Sequence, residues 1–221
     1  MGHYESFDPT PRRAHRRTLA SLHPGEKVME VGCSNGALTQ RIQALGCRVV
    51  GIENRPTAAE EARPFCERVI VGDIERLELG SDLGPFDVIL LIDVLEHLID
   101  PTAILRRLAP LLTPGGRFIV ALPNIAHWSI RWQILRGQFN YTDSGILDRT
   151  HLHLYTMRTA RELLESAGLQ IIEADLIPDV PFLRYKRRLV ELNYRVASLL
   201  PNLFATESFF VAEPRGTHAS P

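Results

Sequence analysis

The stretch that most constrains this chain is Val28-Met29-Glu30-Val31-Gly32-Cys33-Ser34-Asn35-Gly36-Ala37-Leu38-Thr39. An apolar run leads into an acid, then a tight glycine turn, then the opening of an amphipathic helix. That order predicts a strand that feeds a helix N-terminus across a ligand-binding loop.

The sequence downstream repeats the strand–helix unit. Residues 27–31, 47–53, 68–71, 87–92 and 117–122 read as strands. The fourth is almost wholly apolar, as expected for a parallel strand buried on both faces. Helical patterns at 35–45 and 56–66, and a third opening at Asp100-Pro101, lie between them. Gly46 stands where a C-terminal cap belongs, Pro56 in a first turn, and Asp100 as an N-cap. Ile104, Leu105, Leu108, Leu111 and Leu112 form the core face of that third helix, and Pro114-Gly115-Gly116 ends it. Such alternation predicts an α/β fold, a parallel sheet with helices on both faces. Regularity breaks after Pro123, where 124–155 read as an insertion above the sheet. A helix at 156–167, a strand at 169–177, a helical stretch at 182–200 and a strand at 208–213 complete the pattern. The expected architecture is a single domain with a seven-stranded, mostly parallel Rossmann-like sheet whose last strand is antiparallel. Its parts are an N-terminal helix within 1–26, a cofactor-binding core at 27–123, the insertion at 124–155, C-terminal strands and helices at 156–213, and a frayed tail at 214–221.

Bulk properties narrow the function. Lys+Arg 25 against Asp+Glu 26 gives a formal charge of -1, which argues against a nucleic-acid partner. No apolar run reaches the roughly 18 residues of a membrane span, and the first residues lack the apolar core of a secretory signal. Cys33, Cys47 and Cys66 form no CxxC pair, which fits a reducing cytoplasm rather than a disulfide framework. A basic helix is predicted over 9–22, with Arg12, Arg13, Arg16 and Arg17. It either leans over the ligand site or caps the sheet.

Three acids, Glu30, Glu53 and Asp73, end the first three strands, where open α/β sheets bind ligands. Glu53 follows Glu30 by the interval that suits a carboxylate accepting from ribose hydroxyls. A dinucleotide fingerprint would place glycines where this chain has Ser34 and Ala37, so a pyrophosphate is poorly accommodated. A sulfonium ligand with an amino-acid end suits Glu30, Gly32 and Gly36 better.

The chain resembles the class I S-adenosylmethionine-dependent methyltransferases. The resemblance rests on Glu30-Val31-Gly32-Cys33-Ser34-Asn35-Gly36, Gly51-Ile52-Glu53, Gly72-Asp73-Ile74, Asp93-Val94-Leu95-Glu96-His97 and Leu112-Thr113-Pro114-Gly115-Gly116. It implies the class I methyltransferase fold and S-adenosylmethionine as cofactor. Glu30 and the loop of Gly32, Cys33, Ser34 and Gly36 would hold the methionine moiety. Glu53 would hold the ribose hydroxyls, Asp73 and Ile74 the adenine, and the backbone near Ile92 the amino-acid end, with Asn54 and His97 also at the cofactor. Ser34 departs from the glycine many members carry.

Acceptor residues are expected in the irregular segment. It holds Pro123-Asn124-Ile125-Ala126-His127-Trp128 and the polar stretch containing Asp148, Arg149, His151, His153 and Tyr155. This part is similar to methyltransferases that accompany sugar and polysaccharide enzymes, and to MetW-type methionine-biosynthesis proteins. His151 is the first candidate for a general base, with Asp148 orienting it or binding substrate, and with His127 nearby. Alternatively, Asp148 and Arg149 form a structural ion pair and His151 is simply hydrogen-bonded. Asp93, Glu96 and His97 share one helix face and could hold a divalent ion with a later histidine, but the site is expected to work without metal. The expected reaction is O-methylation of a small-molecule or sugar-derived acceptor by a monomer or homodimer. The alternative is a cofactor-binding regulatory partner of another enzyme. The basic stretch at 182–200, with Leu189, Leu192, Val196 and Leu199 as an apolar stripe, either packs on the sheet or touches a membrane surface.

Overall fold

The computed structural model describes residues 14–80, 83–183 and 187–216. Arg12, Arg13, Arg184, Lys186 and the last five residues lie outside them, and with them part of the expected N-terminal helix, basic stretch and tail. Seven strands form one sheet: β1 (Lys27–Val31), β2 (Arg48–Glu53), β3 (Arg68–Val71), β4 (Phe86–Ile92), β5 (Leu112–Pro123), β6 (Leu169–Pro178) and β7 (Ala205–Pro214). Their order is β3-β2-β1-β4-β5-β7-β6. Only β7 runs against the rest; it lies between β5 and β6 and pairs antiparallel with both.

The helices are α1 (Ala14–Ala20), α2 (Ala37–Ala44), α3 (Pro56–Ala62), α4 (Pro101–Leu108), α5 (Trp128–Leu135), α6 (Met157–Ser166), α7 (Val190–Leu199) and the short α8 (Pro201–Phe204). They cover both faces of the sheet, giving two apolar layers. One centres on Met29, Ile89, Leu91, Leu105, Phe118 and Phe210. The other centres on Val28, Ile42, Val88, Leu90, Ile119 and Phe209. Consecutive residues of β1 and β4 alternate between the layers, which is why the central strands read as unbroken apolar runs.

Three departures from the sequence reading have local causes. First, α4 stops at Leu108 and a 3₁₀ turn follows at Ala109–Leu111, because Pro110 cannot continue the helical ladder. Pro114-Gly115-Gly116 therefore does not end the helix. It forms an irregularity inside β5, where pairing jumps from Phe86↔Leu112 to Val88↔Arg117. Second, α7 does not bury the expected leucine stripe. Its buried residues are Asn193 and Ala197, while Leu199 is 79% exposed. Asn193 anchors the helix by accepting from the Val180 N–H (2.9 Å) and donating to the Pro178 carbonyl (3.3 Å). Third, α1 does both things the sequence left open. Arg17 pairs with Asp175 (2.8 Å) and with Glu173 on β6 and lies over the Phe209 ring, while His15 lines the cavity described below.

Gly51 in β2 is a close-approach position. A Cβ there would meet the Cys33 sulfur at 2.7 Å and the Cys66 sulfur at 3.2 Å. Gly51→Ala is expected to destabilise the fold by about 1–3 kcal/mol through overpacking, read as a lower midpoint of denaturant unfolding.

Candidate active site

The turn after β1 is held by one carbonyl. The Gly32 N–H (2.8 Å) and the Cys33 N–H (3.1 Å) both donate to the Ile52 oxygen of β2. Gly32 (φ 75°), Ser34 (φ 49°) and Gly36 (φ 82°) all adopt the left-handed conformation. Gly36 begins α2, and a Cβ there would strike Ala62 and Phe65 at under 3 Å, so its bareness serves helix packing. Ser34 carries a side chain where glycine would be relaxed, and neighbours hold it. Its N–H donates to Glu53 Oε2 (2.9 Å), and its Oγ accepts from the Arg55 guanidinium (2.9 Å). Arg55 also donates its N–H (2.9 Å) and Nε (3.1 Å) to Glu53 Oε1.

Glu30 lies beneath the loop, its Oε2 accepting from the Thr39 hydroxyl at 2.6 Å. Burial raises its pKa to about 7, and the Thr39 hydrogen bond only partly counters this. A small recess lined by Glu30, Gly32, Cys33, Ser34, Ile92 and His15 opens beside it.

That recess adjoins a larger cavity of about 780 Å³. Its wall runs from Gly32, Ser34, Glu53, Asn54, Asp73 and Ile74 to Ile92, Asp93, His97, Asp148, Arg149 and Thr150. The residues expected at ribose, adenine and amino-acid end therefore share one space with part of the expected acceptor segment. The Asp73–Ile74 corner is braced from α4: Arg107 donates to the Ile74 and Glu75 carbonyls, and Glu75 Oε1 accepts from the Ile99 (2.9 Å) and Asp100 (3.1 Å) N–H groups.

At the acceptor end the structure redistributes the expected roles. Asp93, Glu96 and His97 do not share a helix: Asp93 sits at φ 53° and only Leu95–His97 form a 3₁₀ turn. His97 reaches the cavity wall, and its Nδ1 lies 3.1 Å from Thr150 Oγ1 and 3.3 Å from the Thr150 carbonyl. Asp148 Oδ1 accepts from the Thr150 N–H (2.8 Å) and hydroxyl (2.7 Å). Burial pushes the Asp148 carboxyl up, but those hydrogen bonds outweigh it and leave its pKa below the usual value. Arg149 pairs with Asp143 (2.7 Å) at the mouth, not with Asp148.

His151 lies behind the wall. It is buried, its Nδ1 is 3.1 Å from the Ile146 carbonyl, and its ring stands edge-on to His97 at 4.7 Å. Burial and the neighbouring His97 lower its pKa. His127 is farther away and does not line the cavity. It is 2% exposed at the start of α5, with Nδ1 2.8 Å from Ser129 Oγ and Nε2 3.5 Å from Asp179. Its surroundings are those of a residue that fixes α5.

Glu96 is buried, and among the described residues neither its carboxylate oxygens nor Nε2 of His151, 3.8 Å from its Oε1, has a hydrogen-bond partner. Burial foremost, then the charges of Glu207 and Asp148, push the Glu96 pKa up to about 8. Glu96, His97 and His151 offer ligand atoms within 4.8 Å of one another, a donor set suited to a divalent cation. Sequence reasoning missed His15, Arg55 and Thr150. His15 and Arg55 had no spacing signal; Thr150 had one, two positions after an Asp, the interval of an Asx turn.

The strand order, the glycine turn and the carboxylates at the strand ends define a Rossmann-like protein with a nucleoside-binding cleft. Comparisons narrow the class. A family described as "Methyltransferase domain" matches residues 4–174. The ubiquinone biosynthesis O-methyltransferase of Xanthomonas axonopodis pv. citri (strain 306) is 29% identical over 194 residues, covering 82% of this chain and 80% of the relative. That of Xanthomonas campestris pv. campestris (strain B100) is 35% identical over 106 residues, 46% of this chain and 44% of the relative. Among solved structures, a putative methyltransferase in complex with the Haloferax volcanii Trm112 activator aligns with TM-score 0.63 at 21% identity, over 91% of this chain and 89% of that one. The magnesium protoporphyrin IX methyltransferase of Synechocystis PCC 6803 with bound SAH aligns with TM-score 0.61 at 17% identity, over 91% and 84%. At those identities the likeness concerns the fold.

The chain belongs to the class I S-adenosylmethionine-dependent methyltransferase family. It is an enzyme of that type, with S-adenosylmethionine as its cofactor.

Glu30 makes stability depend on pH. Its pKa is about 7 in the folded protein against an ordinary 4.5, so the folded state keeps a proton that the unfolded chain releases between those values. Its contribution is full below pH 4.5 and is lost as pH rises through about 7, about 3 kcal/mol in all. Thermal unfolding from pH 5 to 8 is expected to show Glu30→Gln gaining steadily on the wild type. A constant difference would refute the assignment.

Proposed function

We propose that this methyltransferase transfers a methyl group to a hydroxyl oxygen of a small-molecule acceptor seated at the Asp93–His97–Thr150 end of the cavity. The observation that carries this reading is the single cavity joining Glu53 and Asp73 to His97 and Asp148. A cofactor at one end can then present its methyl group to an acceptor at the other. The relatives named O-methyltransferases favour oxygen as the nucleophile.

In this reading Glu53 accepts from the ribose hydroxyls, Ile74 and Asp73 flank the adenine, and Glu30 beneath the loop faces the methionine end. The acceptor oxygen attacks the methyl carbon in line. The carbon–sulfur bond breaks, sulfur keeps the electron pair, and S-adenosylhomocysteine leaves. The hydroxyl proton passes to His97, whose ring is oriented by Thr150, itself fixed by Asp148. His151 stays behind His97 as packing, a different role from the one its sequence position suggests. A sugar hydroxyl and a ring hydroxyl are both compatible with this chemistry.

A second reading is favoured by the unbonded Glu96 carboxylate facing His151. A divalent cation held by Glu96, His97 and His151 would supply Lewis-acid polarisation of the acceptor oxygen. Turnover lost with a chelator and restored by added metal supports this second reading; turnover unaffected by the chelator supports the first.

Titration calorimetry with S-adenosylmethionine is expected to show Glu53→Gln weakening binding about tenfold or more, the loss of a charged hydrogen bond. Across sugar and phenolic acceptors, His97→Ala is expected to lower kcat about a hundredfold or more with cofactor affinity unchanged. Weaker cofactor binding at full kcat would return His97 to the cofactor site. Cofactor binding without turnover on any acceptor would leave a regulatory partner and overturn the proposal.

A further inference from the structure

The segment from α5 to the cavity mouth is exposed in a way the catalytic reading does not use. Within α5 only Ile130 is buried, and apolar side chains continue around the outer surface. Trp132 is 56% exposed and Leu135 78%, and Ile134, Phe139 and Tyr141 are exposed as well. Phe139 and Tyr141 stack edge to face at 5.5 Å, and the Arg136 guanidinium lies over the Trp132 ring at 5.9 Å. Large apolar side chains exposed this close together in the chain are costly in water unless something covers them.

Charge and composition indicate the occupant. From 124 to 142 the sequence has no Asp or Glu, and its only formally charged residues are Arg131 and Arg136, both exposed. The next acid, Asp143, is paired with Arg149. Tryptophan, tyrosine and phenylalanine beside arginine suit the boundary between acyl chains and anionic headgroups. No described helix is long and apolar enough to cross a membrane, so contact would be in the plane of the surface. The basic stretch at 182–200, for which surface contact is one of two readings, is less suited: on α7 Glu191 pairs with Arg195, and the helix is anchored to β6 through Asn193.

The face also continues into the site. Thr142 bonds to Leu147 and Arg149 through the backbone, and Asp143, Asp148 and Arg149 line the cavity. We infer that the outer face of α5 with Phe139 and Tyr141 is a docking surface for a bilayer carrying anionic lipid, with the cavity mouth opening beside it.

The test needs neither cofactor nor acceptor, so its failure is distinct from failure of the proposed reaction. The full chain is floated with phosphatidylcholine vesicles, with and without phosphatidylglycerol. Wild type is expected to float with the anionic vesicles. The double variant Trp132→Ser, Leu135→Ser is expected to lose this by about tenfold or more, and Arg136→Glu to lose the anionic preference. An unchanged circular dichroism spectrum and thermal midpoint certify that the variants are folded. Wild type that stays unbound, or variants that float equally well, would overturn the inference. So would a dimer by light scattering that the double variant dissociates, since that assigns the face to a second copy.

Discussion

The Ile52 carbonyl accepts from two consecutive N–H groups of the loop that follows β1, and the rest of the site takes its position from that contact. Because β1 and β2 pair with Glu30 opposite Gly51 and Val31 opposite Ile52, the loop leaves the sheet directly over β2. Glu53 is the next residue, so its carboxylate is delivered to the Ser34 N–H by backbone register. The bare Gly51 leaves the space in which Cys33 and Cys66 close the loop from below. The spacing between the floor of the cleft and Glu53 is therefore built from paired sheet backbone, before any flexible side chain is involved.

Gathering acids at the open end of a parallel sheet creates a solvation problem, and the chain treats each acid differently. Glu53 accepts from the N–H groups of Ser34 and Arg55 and from a guanidinium. Glu30 receives one hydroxyl and has its pKa raised to about 7 by burial. Asp148 is satisfied by a threonine two residues on and is held as an anion. Glu96 and one oxygen of Asp93 are buried with no hydrogen bond. Burial foremost, then the charges of Glu207 and Glu96, push the Asp93 pKa well above its usual value. Among the described residues Glu30, Glu53 and Asp148 therefore each have a donor, whereas the carboxylate oxygens of Glu96 and one of Asp93, in the turn after β4, have none. This contrast is an electrostatic asymmetry of the cleft.

Most of the fold was legible in the sequence because strand and helix periods, glycine turns and cap residues are local signals. The order around Gly32, Glu53 and Asp73 was legible for the same reason, since each ends a strand whose neighbour is dictated by parallel crossover rules. What escaped depends on packing between distant segments. On paper His151 is the first candidate for a base and His97 belongs to the cofactor; only the fold shows His97 on the cavity wall and His151 behind it. His127 is near His151 in the expected acceptor segment, yet the fold sets it 3.5 Å from Asp179, far along the chain, and off the cavity lining. The leucines of α7 read as a stripe, but Asn193 found backbone partners at Pro178 and Val180 and turned the helix. A polar anchor of this kind leaves no periodic trace.

The position of β7 bears on how the molecule assembles. It is the last strand in sequence, yet it lies inside the sheet, bonded along one edge to β5 and along the other to β6. Until it arrives, β6 has no partner, and the edge of β5 presents unpaired backbone groups. During synthesis the sheet can form from β1 to β5, but β6 must wait for β7 to insert between two older strands. Pairings of such long sequence separation are slow to close. The emerging chain thus passes through an interval in which a half-built sheet with an exposed edge is its most ordered form, the state in which self-association competes with completion.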